Sequence, residues 1–206
     1  MGLRDTLVRQ FGKPAGLLGS VAGWIMATRP QGRQRSRWTV ELLELGPEDR
    51  VLELGCGPGL ALRECTRSAG RGLVVGLDHS AVMLAQAARR NRTALARGTL
   101  HLVHGGLESL PHAGGPFGRV FAINVLQFLS DRRAAMRALA EVTTAGGTVA
   151  ITYQPRHRNA TRADALRGAQ ELSACMADAG LEWVRTAELP LRPVPAVCVL
   201  GRRSAR

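Results

Sequence analysis

From Arg50 onward, short apolar runs alternate with longer amphipathic stretches. Arg50 to Leu54 reads as a buried strand, followed by a glycine cluster and a helix over Leu60 to Ser68. Gly72 to Leu77, ending at Asp78, is a second strand, and Ser80 is placed to cap a helix running through an Ala-rich segment to about Arg92. Further strands are expected at Thr99 to His104, Arg119 to Asn124 and Gly147 to Tyr153, with a helix from about Ser130 to Val142 between the last two. Past a polar loop, Gln154 to Asn159, the pattern turns helical from Thr161 to Ala179, and Gly180 supplies a stop. Two last extended runs, Leu181 to Leu189 and Val194 to Leu200, are separated by Pro190 and Pro193, which suits an antiparallel hairpin closing one edge of the sheet. Strands alternating with helices imply an α/β fold whose sheet is mostly parallel and covered on both faces.

The first 40 residues stand outside this alternation, and Pro14 and Pro30 divide them into helical pieces. Two regions are therefore expected: an N-terminal helical cap or lid over 1–40, and a body over 41–206. Ala15 to Thr28 follows Arg4, Arg9 and Lys13 and imitates the apolar core of a secretory signal. Gly16, Gly19 and Gly23 interrupt it, Trp24 is bulky, and it is shorter than the ~20 residues of a membrane span. An amphipathic cap helix fits better. At 206 residues the chain has room for one domain with a sizeable core. Cys56, Cys65, Cys175 and Cys198 show neither metal-ligand spacing nor the density of a disulfide scaffold, so no metal is expected and a reducing cytoplasm fits. The net charge of +12 rests almost wholly on arginine, with Arg29, Arg33, Arg35 and Arg37 packed together, a patch that attracts anions.

The most informative segment is Val51-Leu52-Glu53-Leu54-Gly55-Cys56-Gly57-Pro58-Gly59, where glycines fall at the point a buried strand must turn into a helix. Asp78 closes the next strand 21 residues after Gly57, where a nucleoside-binding fold needs a carboxylate for ribose hydroxyls. The spacing G-x-G-x-G is shorter than the dinucleotide fingerprint G-x-G-x-x-G, which disfavours a nicotinamide cofactor.

Glu53-Leu54-Gly55-Cys56-Gly57-Pro58-Gly59 resembles the first motif of the class I S-adenosylmethionine-dependent methyltransferases. Gly76-Leu77-Asp78-His79-Ser80 looks like the second motif, and Ala145-Gly146-Gly147-Thr148-Val149 like the turn before the fifth strand. The resemblance implies a Rossmann-like, doubly wound, seven-stranded sheet and S-adenosylmethionine as cofactor. It makes Gly55, Cys56, Gly57 and Gly59 loop positions at the methionine portion, with Glu53 bonding the loop or the amino group. Asp78 would hold the ribose with His79 beside it, Leu107 would offer a backbone amide to adenine, and Asn124 and Val125 would line the methionine and acceptor side. Many relatives carry an acid where Gly106 stands and an Asp where Gly118 stands, so Glu108 is the candidate to supply the missing carboxylate near adenine.

Methyl transfer from a sulfonium is an in-line displacement in which alignment is the protein's main contribution. A hydroxyl or acidic carbon acceptor would gain from a base, for which His157, Tyr153 and His104 are the candidates near carboxyl-end loops. Trp38 and Trp24 could wall an apolar acceptor. A small organic acceptor is favoured. The chain lacks the Asn/Asp-Pro-Pro-aromatic sequence of base-amine methyltransferases after the fourth strand, having Asn124-Val125-Leu126-Gln127, and with four Phe, three Trp and one Tyr it is poor in base-stacking aromatics. RNA is thus disfavoured despite the charge. A phospholipid headgroup, brought by a membrane-surface segment at Ala15 to Thr28, and a non-catalytic protein of the same fold are the other readings.

Overall fold

The computed structural model describes residues 30–205. Its first helix, α1 (Pro30–Leu42), runs across the expected boundary at residue 40 and precedes a seven-stranded sheet. The strands are β1 (Arg50–Leu54), β2 (Leu73–Asp78), β3 (Leu100–His104), β4 (Phe117–Ile123), β5 (Thr143–Tyr153), β6 (Leu181–Leu189) and β7 (Ala196–Arg203). Helices α2 (Leu60–Ser68), α3 (Ala81–Arg90), α4 (Arg92–Ala96), α5 (Arg132–Glu141) and α6 (Arg162–Asp178) connect them. Cap chemistry fixes several helix starts. Ser80 Oγ accepts from the Met83 N–H ahead of α3, Asp131 Oδ1 accepts from the Ala134 N–H ahead of α5, and Thr161 and Asp164 form a reciprocal capping box at α6.

The strand order is β3-β2-β1-β4-β5-β7-β6. Strands β1 to β5 pair in parallel, while β7 is antiparallel to β5 and to β6. The closing hairpin thus places its second strand inside and its first on the edge, where Arg162 at the start of α6 pairs with Glu188 of β6.

Alternation along the strands builds a core on each face of the sheet. Leu52, Val120, Ala122, Val149, Ile151, Val197 and Val199 pack with Met136 and Leu139 of α5 and Ala169, Leu172 and Met176 of α6. Val51, Val74, Phe121, Ala150, Cys198 and Leu200 pack on the other face with Val40 and Leu43, Ala61, Leu62 and Cys65 of α2, and Ala87 of α3. Trp38 packs against this second core and does not line the cavity described below, contrary to the expectation that it walls an acceptor; Trp24 falls outside the described residues. All four cysteines are free and buried. Among the described residues no helix is long and apolar enough to cross a membrane.

Candidate functional site

In an open parallel sheet, ligands collect where neighbouring strands send the chain in opposite directions, because the connections part and leave a crevice at the strands' carboxyl ends. Here that point lies between β1 and β4. A cavity of about 410 Å³ opens there, lined by the loop after β1, the ends of β2 and β4, the segment after β3 and the first half of α1.

The loop after β1 carries Gly55, Gly57 and Gly59 at positive φ (68°, 51° and 73°). At Gly57 the space around an added Cβ is open, so this wall of the cavity is bare backbone. Its N–H donates to Asp78 Oδ2 at 2.7 Å, and Asp78 Oδ1 accepts from the Ser80 N–H at 2.9 Å. The second strand's carboxylate therefore buttresses the first strand's turn. A Cβ at Gly55 would meet Val125 Cγ2 at 2.4 Å, which shows how closely the exits of β1 and β4 approach.

Glu53, Gly55, Cys56, Gly57, Asp78, His79, Gly106, Leu107, Glu108, Asn124 and Val125, all expected from sequence, line this cavity. Gly59 does not. An added Cβ there would lie 2.6 Å from Asn91 Nδ2 and 2.9 Å from Ala87 Cβ, so this glycine serves the packing of α2 against α3.

Glu53 is buried, and its Oε2 has no hydrogen-bond partner. Burial, and then the Asp78 carboxylate, push its pKa well above the usual carboxylate value. Burial likewise raises the Cys56 thiol, so that sulfur is no thiolate nucleophile. Asn124 holds φ 56°, a left-handed conformation at a strand end. Its Oδ1 accepts from the Gln154 N–H at 2.8 Å, which ties β4 to β5, while its Nδ2 is buried without a partner. Glu108 folds back so that Oε1 accepts from the Gly106 N–H at 2.7 Å, and hydrogen bonds to backbone N–H groups hold its pKa down. A Cβ at Gly106 would meet Glu108 Oε2 at 2.7 Å: this carboxylate fills the space beside the glycine.

The three expected bases lie elsewhere. Tyr153 falls in register with Val149 and Ile151 on β5 and so faces α6, where an added Cβ on Gly168 would meet its ring at 2.3 Å. Burial raises its phenol further, the wrong direction for a base. His157 is exposed, with Nδ1 against the Arg158 carbonyl and Nε2 3.8 Å from Asp164. His104 places Nε2 3.0 Å from the His79 carbonyl and is also outside the cavity. Gly118 lies at the amino end of β4 beside Asp49, on the opposite edge of the sheet, so the difference there has no bearing on adenine.

Sequence reasoning missed Gly32, Arg35 and Ser36 of α1, Phe128 and Leu129 after β4, and Arg156 after β5, all of which line the cavity. Arg35 Nη1 donates to Gln154 Oε1 at 2.6 Å, and Thr39 Oγ1 meets Thr152 Oγ1 at 2.7 Å, so α1 is fastened over the end of β5. Arg35 Nε is buried without a partner. The run from Arg29 to Arg37 was legible as a basic patch, but which arginine turns inward depends on contacts 119 residues away.

The family model described as "Methyltransferase domain" matches residues 51–147. The chain is 27% identical over 185 residues to an uncharacterized methyltransferase, YdaC, of Bacillus subtilis, an alignment covering 90% of this chain and 99% of that one. It is 34% identical over 122 residues to the demethylmenaquinone methyltransferase of Mycolicibacterium vanbaalenii, covering 59% of this chain and 49% of the relative, so it spans about half the length of that enzyme. The magnesium protoporphyrin IX methyltransferase of Synechocystis, solved with bound S-adenosylmethionine, shares the fold at a TM-score of 0.65 and 19% identity, over 98% of this chain and 92% of that one. The cavity has the groups this cofactor needs: an unpartnered buried carboxylate oxygen at Glu53 suited to accept from an ammonium, a carboxylate at Asp78, and a bare glycine turn against which a ligand can press. With the glycine motif, the β1/β4 switch point and these relatives in agreement, the chain belongs to the class I S-adenosylmethionine-dependent methyltransferases.

Proposed function

We propose that the enzyme methylates a small organic acceptor held between the exits of β4 and β5 and helix α1. The observation that carries this reading is the shape of the cavity: about 410 Å³, roofed by Gly32, Arg35 and Ser36 of α1 and walled by Val125, Phe128 and Leu129, a volume suited to small ligands. The relative named for demethylmenaquinone supports a small acceptor as well.

When bound, S-adenosylmethionine supplies the electrophilic methyl carbon on a positively charged sulfur. Glu53 accepts hydrogen bonds from the cofactor's ammonium, gaining the partner its Oε2 lacks. Asp78, already ordered by the Gly57 and Ser80 N–H groups, accepts from the ribose hydroxyls with its remaining lone pairs. Leu107 and Glu108 bound the adenine end, and Asn124 fixes the floor between cofactor and acceptor. Val125, Phe128 and Leu129 cannot accept a proton, so what these residues contribute on the acceptor side is alignment and exclusion of water.

The test is transfer of labelled methyl from S-adenosylmethionine into a cell extract, separated afterwards into an ultrafiltrate, a macromolecular retentate and a lipid-soluble phase. Label in the ultrafiltrate is expected. Label that stays in the retentate and is released by ribonuclease, or that partitions with phospholipid, refutes the small-acceptor reading.

A further inference from the structure

Resting on that reading, we infer that the acceptor carries an anionic group, a carboxylate or a phosphate, and that Arg35 and Arg156 form the subsite that receives it. The cavity is electrically divided. Glu53, Asp78 and Glu108 occupy the end built by β1, β2 and the segment after β3, whereas the arginines lie at the other end, one from α1 and one from the loop after β5. Arg35 is fixed by its hydrogen bond to Gln154, and its Nε is buried with no acceptor. Its guanidinium pKa is drawn down to about 10, first by its own burial and then by the charge of Arg156, so the inner cation feels the outer one.

A second cation near a buried guanidinium is unfavourable, and an anion between them reverses the sign of the interaction while supplying the acceptor that Arg35 Nε lacks. A carboxylate or phosphate matches the planar guanidinium fork in geometry and in charge. Phe128 and Leu129 line the same cavity, so the ligand that fits is an anionic head on an apolar body. The cofactor's own carboxylate is the competing occupant. Gln154, which anchors Arg35, follows β5, and β5 is two strand positions from the β1 loop, about 10 Å at ~4.8 Å per strand. The arginine pair therefore stands beyond the cofactor's end of the cavity, on the acceptor side.

The experiment titrates benzoate, phenyl phosphate and neutral benzamide into protein saturated with S-adenosylhomocysteine, using wild type, Arg35→Gln and Arg156→Gln. At least one of the two anions is expected to bind about tenfold more tightly than benzamide, and which one wins identifies the group. Either substitution should erase that preference while leaving affinity for S-adenosylhomocysteine unchanged, and Arg156→Gln should keep the melting temperature close to wild type. Because Arg156 is on an exposed loop, its variant keeps the test sound if Arg35→Gln folds poorly. Equal binding of anions and benzamide overturns the subsite while sparing the methyltransferase reading. So does a loss of S-adenosylhomocysteine affinity of about tenfold or more in Arg35→Gln, which assigns that arginine to the cofactor carboxylate. Failure of wild type to bind S-adenosylhomocysteine overturns both.

Discussion

Gly57 and Gly59 both hold left-handed backbone, yet alanine at the two positions should fail in different ways. In each case a side chain at φ 51° or 73° costs about 1–2 kcal/mol relative to glycine. At Gly57 nothing lies within 4 Å of an added Cβ, so no further loss of stability is expected. At Gly59 the new methyl would sit 2.6 Å from Asn91 Nδ2, 2.9 Å from Ala87 Cβ and 3.0 Å from Ala87 Cα. Asn91 cannot easily yield, because its Nδ2 donates both to the Gly59 carbonyl at 3.1 Å and to the Ala87 carbonyl at 2.9 Å. Overpacking of this kind costs about 1–3 kcal/mol. The φ cost cancels between the variants, so Gly59→Ala should melt below Gly57→Ala by roughly 2–12 °C at this chain length. Ligand binding should show the reverse order. The Gly57 methyl projects into the cavity wall, so Gly57→Ala should lose about tenfold or more in affinity for S-adenosylhomocysteine, whereas folded Gly59→Ala should bind within about threefold of wild type. Thermal melts and calorimetric titration on both variants decide the matter. Equal melting temperatures, or unchanged affinity in Gly57→Ala, would refute the assignment of one glycine to the cavity and the other to helix packing.

Asp78→Asn should lower affinity for S-adenosylhomocysteine about tenfold in calorimetry with little thermal cost, since an amide oxygen can still accept from Gly57 or Ser80, whereas Asp78→Ala should also melt lower because both N–H groups lose their acceptor. Glu53→Gln should gain thermal stability over wild type as pH rises. The folded pKa of Glu53 is raised, so the native state holds its proton more tightly than the unfolded chain, and wild-type stability falls as pH climbs above the ordinary carboxylate value of 4.5; the melting gap should be wider at about pH 8 than at about pH 5. Tyr153→Phe and His157→Asn should leave kcat for methyl transfer within about twofold of wild type, because neither side chain lines the cavity; a drop of about a hundredfold in either would restore it as a catalytic base.

The parts of this molecule legible in the sequence are those set by neighbours along the chain. The strand at Arg50–Leu54, the helix at Leu60–Ser68 and the Ser80 cap follow from local periodicity and side-chain chemistry, and the structure has all three. The glycine turn and Asp78 were legible for the same reason: the turn needs positive φ, and its carboxylate partner must close the adjacent strand. Tyr153 shows a signal that was present and unused, since a strand through Val149 and Ile151 turns the tyrosine toward the face opposite α1. His157 follows the end of β5 as expected, but a loop's direction after it leaves the sheet has no period to read. Arg35 enters the cavity through a contact made only once α1 is laid across the end of β5, and no period along the chain marks Phe128 or Arg156 as lining it.

The buried polar atoms without partners show why this cavity is costly to fold and what that cost serves. Among the described residues they are Arg35 Nε, Glu53 Oε2, Asn124 Nδ2 and Gln127 Oε1. Three of the four belong to residues lining the main cavity, and the fourth borders the small void beside Tyr153. Left unsatisfied, each buried group costs about 1–3 kcal/mol, a large fraction of the stability of an ordinary domain. The cores on both faces of the sheet are apolar and interlocked, so the deficit is local to the carboxyl edge. Its chemistry is also ordered: an acceptor atom at the β1 end, a donor at the β4 exit and a cationic donor at the β5 end. An ammonium at one end and an anion at the other satisfy the two terminal groups at once. No ligand of uniform charge does so, and that sets the terms on which cofactor and acceptor must occupy the site together.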